Sequence, residues 1–154
     1  MIKDAMMIRK VSQQLIETAE AAYLTTIDAD GFPDTRAMLN LRNPAQYPGL
    51  TEFFSVRDPF EVYFTTNTSS RKIKCIKQNP KVSVYYCQPK SFHGLMLGGL
   101  IEIVADTEIK HALWQPGWEC YYLLGIDDPD HTVLRLSPRF LRGWYQLQRF
   151  ELTF

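Results

Sequence analysis

The stretch Phe64-Thr65-Thr66-Asn67-Thr68-Ser69-Ser70-Arg71-Lys72 sets a run of hydroxyl side chains directly before two cations. A strand that ends in hydroxyls and hands over to a helix opening Ser-Arg-Lys is a phosphate-binding arrangement. Free backbone N–H groups at the helix start, hydroxyls and two positive charges converge on one point. The basic run continues through Lys74 and Lys77 to Lys81 with no acid among them, so it also reads as a solvated helix face. The arrangement is not a P-loop, since GxxxxGK is absent, nor a dinucleotide fingerprint, since GxGxxG is absent. Elsewhere the chain shows no His/Asp, Cys/His or paired-carboxylate constellation for acid–base or nucleophilic work. The three cysteines, Cys75, Cys87 and Cys120, form no CxxC or His/Cys ligand pair and read as reduced, mostly buried thiols, so no metal site is expected. His93 and His111 lack ligand spacing, and His131, in the acidic loop Gly125–His131, is expected to be exposed.

The 154 residues carry 17 basic and 17 acidic side chains and sum to zero charge. That balance argues against a general nucleic-acid binder. It conceals an asymmetry: the basic run is answered by Glu102, Asp106, Glu108, Glu119, Asp127, Asp128 and Asp130, with Lys110 as the one Lys or Arg among them. A single phosphate needs only the local concentration of cations. No apolar run reaches the length of a membrane span, and the first twenty-odd residues lack a signal peptide's apolar core; a cytoplasmic protein is expected.

The elements that must position these groups can be read from periodicity. Ile8, Val11, Leu15 and Ala19 recur at helical spacing within an opening helix over residues 1–20. Residues 21–27 and 32–41 predict a hairpin about the turn Asp28-Ala29-Asp30-Gly31. The segment 42–59, with its prolines, reads as a lid or interface loop. Strands are predicted over 60–66, 81–87, 94–105 (with a bulge at Gly98-Gly99), 132–136 and 140–147, with a possible last strand in the tail 148–154. Helices are predicted over 69–79, 107–113 and 119–124. Many strands in hairpin order with few short helices favour an antiparallel β-barrel with peripheral helices over a βαβ repeat, in one domain over 1–154 with the barrel at 21–147.

Thr66-Asn67-Thr68-Ser69-Ser70-Arg71-Lys72 followed by Asn79-Pro80-Lys81-Val82-Ser83 resembles the flavin-phosphate motif of the pyridoxamine 5'-phosphate oxidase-like FMN-binding split barrels. Arg36-Ala37-Met38-Leu39 resembles the strand beside the flavin ring, and Gly99-Leu100-Ile101-Glu102 resembles the family's long strand. Asp127-Asp128-Pro129 through Ser137-Pro138 and Trp144 resembles the general stress protein subgroup. The resemblance spans roughly residues 21–145 and implies a mainly β, six-stranded antiparallel Greek-key split barrel that forms a homodimer with FMN at the subunit interface. It implies that Arg71 and Lys72 hold the phosphate with help from Ser70 and Thr66. Thr65 and Thr66 line the strand end, Arg36, Ala37, Met38 and Leu39 run along the ring and ribityl chain, and Trp144 supplies an aromatic near the flavin.

The residues alone leave alternatives open. Arg36 could be a surface ion-pair partner, Trp144 a core or dimer-contact aromatic, and one of Met38 and Leu39 plain core, since strand neighbours alternate faces. Two features of the vitamin B6 oxidases are missing. Their substrate-binding cation at the end of the Arg36 strand is Leu41 here, and no R-x-H follows Trp144. The resemblance thus implies an FMN-dependent oxidoreductase of some other small molecule, or a non-catalytic flavin- or haem-binding stress or redox protein.

Overall fold

The computed structural model describes all residues, Met1–Phe154. Helix α1 (Ala5–Thr18) begins where the Asp4 carboxylate accepts the N–H groups of Met6 and Met7, a side-chain N-cap for otherwise orphaned donors. It buries Ile8, Val11, Leu15 and Ile16. The hairpin follows as β1 (Ala21–Ile27) and β2 (Pro33–Leu39), in register from Ala21 opposite Leu39 to Ile27 opposite Pro33. Its turn is made by Asp28, whose carboxylate accepts from Asp30 and Phe32, and by Gly31 at φ +85°, a conformation glycine adopts without a Cβ penalty.

The remaining elements are α2 (Thr51–Ser55), β3 (Val62–Asn67), α3 (Arg71–Gln78), β4 (Lys81–Gln88), β5 (His93–Val104), α4 (Thr107–Leu113), β6 (His131–Tyr145) and β7 (Gln148–Thr153). All strand pairs are antiparallel, in the order β2-β1-β4-β5-β6-β3, with β7 added to β6. The expected six strands are this path, and the tail supplies a seventh. The two closing strands expected at 132–136 and 140–147 are one strand, β6. Its first half pairs with β3, its second half with β7, and β5 runs beside both. The expected bulge is present, as the β5–β6 register shifts between Gly98 and Gly99. Gly98 is required there because a Cβ would lie 2.2 Å from the Phe140 ring.

The barrel interior is closed by α1 and filled by Leu24, Phe64, Val84, Tyr86, Leu95, Leu97 and Leu141, all fully buried. A second core lies outside the barrel wall. There the 42–59 segment, expected as a loop, folds into a 3-10 turn at Pro48–Leu50 and then α2. Leu50 and Phe54 from it cover Tyr63 and Val133 together with Leu113, Trp118 and Tyr122. The helix expected at 119–124 is instead a 3-10 turn, Trp118–Cys120, followed by irregular chain. Of the cysteines only Cys75 is buried; Cys87 is half-buried and Cys120 exposed.

His131 is not exposed. It retains 1% of its accessible surface and packs against the rings of Tyr122 (4.6 Å) and Trp114 (5.3 Å). His93 is also buried, against Tyr145 at 4.9 Å. The Nε2 atoms of both find no partner, and burial lowers the pKa of each below the ordinary 6.5. As pH falls, the unfolded chain takes up these protons before the folded chain does. The stabilisation is therefore complete above pH 6.5 and declines below it. The urea midpoint of unfolding should fall between pH 7.5 and pH 5, about the window set by a histidine's ordinary titration, and the double variant His93→Gln/His131→Gln should flatten that dependence.

Candidate functional site

Strands β2 and β3 are the two ends of the hydrogen-bonded order and do not pair. Between them runs a cleft of about 360 Å³, lined by Ala37, Met38 and Leu39 from β2, Thr65 and Thr66 from β3, and Lys72 from α3. Of the sequence-predicted residues, Ala37, Met38, Leu39, Thr65, Thr66 and Lys72 thus line the unpaired seam of the barrel, whereas Arg36, Ser70 and Arg71 are not part of its lining. Met38 also packs against the barrel core, whereas Leu39 is exposed, so the alternation of faces holds while both still border the cleft.

At the cleft's charged end, Ser70 is the N-cap residue of α3 and its backbone N–H donates to the Asn67 carbonyl. Its Oγ, however, caps nothing: it is buried and has no hydrogen-bond partner. The N–H groups of Arg71 and Lys72, in the first helical turn, likewise have no acceptor within the chain. The Lys72 ammonium donates to Thr66 Oγ1 at 2.8 Å. Burial, and then the neighbouring Arg36 guanidinium, pull its pKa below the ordinary lysine value. Arg36 donates to Thr26 Oγ1 at 2.9 Å and pairs with Asp34 at 3.0 Å, so the ion-pair reading of this residue is also realised. Arg71 reaches out from an exposed position to Asp28 (3.4 Å) and Asp34 (3.8 Å). Three cations therefore crowd around the helix start: Arg36 is ion-paired with Asp34, Arg71 is only loosely neutralised by Asp28 and Asp34, and Lys72 has no carboxylate partner.

The residues present fit a phosphate monoester. An orphaned hydroxyl, free helix N–H groups and a lysine in need of an anion are the donor set such a group requires. Beside them the cleft presents the apolar strip Ala37-Met38-Leu39, which suits one face of a flat ring.

Trp144 does not join this cleft. It lies on β6 opposite Gly94, 56% exposed, and lines a separate apolar cavity of about 510 Å³ with Tyr85, Cys87, Phe92, His93 and Leu147. Conversely, Tyr121 and Tyr122 border the cleft although nothing local in the sequence marks them. Asp130, in the sequence one acid of the 125–131 loop, shapes the turn before α3. Its carboxylate accepts from the Ser69 N–H (2.8 Å) and the Asn67 side-chain amide (2.7 Å), and its carbonyl accepts from the Thr68 N–H (2.7 Å). These bonds hold the Asp130 carboxyl below the usual carboxylate range.

An antiparallel barrel with an unpaired, phosphate-suited seam defines the class of the split barrels. The pyridoxamine 5'-phosphate oxidase family model matches residues 8–145, and the chain belongs to that family. A Clostridium acetobutylicum protein, described as related to general stress protein 26 of B. subtilis, is 31% identical, with a TM-score of 0.76 over 99% of this chain and 96% of that one. An FMN-binding, pyridoxamine 5'-phosphate oxidase-related protein of Nostoc punctiforme PCC 73102 shares the fold at 14% identity (TM-score 0.65, covering 100% and 98% of the two chains). A heme binding protein of Mycobacterium smegmatis does so at 13% identity (TM-score 0.70, covering 99% and 60%). Among curated proteins, none matches this sequence. No helix is long and apolar enough to cross a membrane.

Because Asp130 braces the turn from outside the cleft, Asp130→Ala should weaken binding of a phosphate-bearing ligand about tenfold, in line with loss of hydrogen bonds to a charged group. Titration of FMN into the variant and the parent chain measures this, and unchanged affinity would show that the turn needs no brace.

Proposed function

We propose that this chain binds FMN in the β2–β3 seam and uses it as an oxidoreductase of a small molecule other than a vitamin B6 phosphate. The observation that carries the reading is the Ser70 Oγ, buried and without a partner at the N-cap of α3, on the same helix turn as Lys72, which lines the cleft. Arg71, Lys72, Ser70 and Thr66 would hold the phosphate. Ala37, Met38, Leu39 and Thr65 would run along the ring and ribityl chain, with Arg36 at the rim. Tyr121 and Tyr122 would shield the opposite side from water. Bound FMN supplies hydride and electron transfer, and the protein contributes binding, orientation and a dry environment.

The seam is open on the outer side of the sheet, so a second copy of the chain is proposed to complete it. The outer face of β2, β1, β4 and β5 carries Leu39, Tyr23, Tyr85 and, beyond them, Trp144 and Leu147, all exposed. Tyr23 and Tyr85 are cross-strand neighbours. A two-fold pairing through this face would bring the Trp144 of one chain toward the seam of the other, which accounts for its separation from the cleft within a single chain. Two-fold homodimers are the commonest assembly.

A haem-binding reading has one specific observation in its favour. The His93 Nε2 is buried without a partner and His93 borders the apolar cavity that holds Trp144; a free imidazole nitrogen is the usual axial ligand. The purified protein's visible spectrum separates flavin from haem.

Arg71→Ala should weaken FMN at least tenfold and leave riboflavin nearly unchanged, since only FMN carries the phosphate; equal losses in the two titrations would remove the phosphate assignment. Sedimentation should give twice the 17.9 kDa chain mass. Tyr85→Glu should yield single chains that bind FMN poorly, whereas a parent protein that is monomeric at all concentrations would end the shared-site reading.

A further inference from the structure

A cavity of about 410 Å³, lined mostly by polar residues, lies between α1 and the 42–59 segment. That volume is in the range of small-molecule sites. Arg42 and Arg57 line it together with Gln13, Glu17, Tyr47 and Thr51. Arg42 is 93% removed from solvent by its 7% residual exposure. Its Nε and Nη2 donate to the carbonyls of Glu61 and Asp58, and its guanidinium lies over the Phe54 ring at 4.2 Å. Its Nη1 has no partner, and no carboxylate is ion-paired with it.

The nearby acids are engaged elsewhere: Asp58 caps the Phe60 N–H, Glu61 accepts from the Tyr63 hydroxyl, and Glu17 accepts from the Gln13 amide. A buried cation without a counter-ion is expensive to maintain. Arg57 adds a second guanidinium to the same cavity. It is fixed over the Phe53 ring at 3.5 Å, bonded to the Phe53 carbonyl, and likewise free of any ion pair. Both guanidinium groups line one cavity and each is held on a phenyl ring, so little rotamer freedom would be lost if they bound a carboxylate. Across the cavity, Glu17 has one oxygen left to accept a hydrogen bond and would repel a second negative charge.

We propose that this cavity is a binding site for a small carboxylate that carries an O–H or N–H donor beside the carboxyl group, the chemistry of a hydroxy acid or an amino acid. Arg42 and Arg57 take the carboxylate, and Glu17 takes the donor. The site is independent of the seam and does not rest on flavin binding there. It also gives the 42–59 segment a role beyond covering the second core.

The test is proton–nitrogen NMR on the full chain, following the arginine Nε–H resonances during titration with lactate, succinate or inorganic phosphate. Lactate should shift the Arg42 and Arg57 resonances and saturate at or below about 1 mM, a modest affinity. Arg57→Gln, which spares the carbonyl bonds of Arg42, should weaken this at least tenfold, while Arg71→Ala should leave it unchanged. Glu17→Gln should weaken lactate and strengthen succinate and phosphate several-fold. Absence of saturation by any of the three probes, or full binding in Arg57→Gln, overturns the site. Saturation by succinate or phosphate in preference to lactate in the parent chain overturns the hydroxy-acid assignment.

Discussion

The hydrogen-bonded ladder of this barrel stops at β2 and β3, and the proposed cofactor site depends on that gap. Unpaired strand edges are usually a hazard, since their free backbone groups invite other strands. Here the two edges face each other across a cleft instead. The residues that give the cleft its character are Ala37, Met38 and Leu39 on one bank and Thr65 and Thr66 on the other. The opening is held by strands anchored elsewhere. β6 ties β3 to β5 and β7, and β1 ties β2 to β4, so each edge strand is hydrogen-bonded into the sheet on its other side.

The charged end of the seam shows why a chain with no net charge still concentrates cations. Asp28 and Asp34, on the hairpin, face Arg71 and Arg36, on α3 and β2. The acids needed for overall neutrality stand partly beside the cations rather than only in the distant acidic segment. Lys72 is the exception, with a hydroxyl as its partner.

How much of this was legible in the sequence follows from how local each signal is. The hydroxyl-to-cation handover at Thr65–Lys72 lies within one strand–helix junction and could be read directly; the structure puts Thr65, Thr66 and Lys72 on one cleft. The hairpin turn and the Gly98-Gly99 bulge were legible for the same reason. The sequence predicts two strands where β6 is one, and Ser137-Pro138 falls in the expected gap. The structure carries the strand through because Pro138 pairs opposite Gly99, where the bulge already breaks the ladder and a missing N–H does no harm. His131 looked solvated because its sequence neighbours are acidic, but its burial depends on Trp114 and Tyr122, whose placement is a long-range matter. Tyr121 and Asp130 reach the site through the same fold-back of residues 114–130, which no local pattern announces.

Arg71 is held at arm's length by Asp28 and Asp34, at 3.4 and 3.8 Å. An arriving phosphate would therefore have to compete with two resident carboxylates. Binding there is an exchange of partners rather than the capture of an anion by bare positive charge. An arginine already engaged in this way discriminates: a ligand that offers charge alone gains little by displacing the acids, whereas one that also satisfies Ser70 and the helix N–H groups gains what the carboxylates cannot supply. If a phosphate-bearing ligand binds there, the hairpin would act as a selectivity filter for the seam, with side chains that never need to touch the ligand.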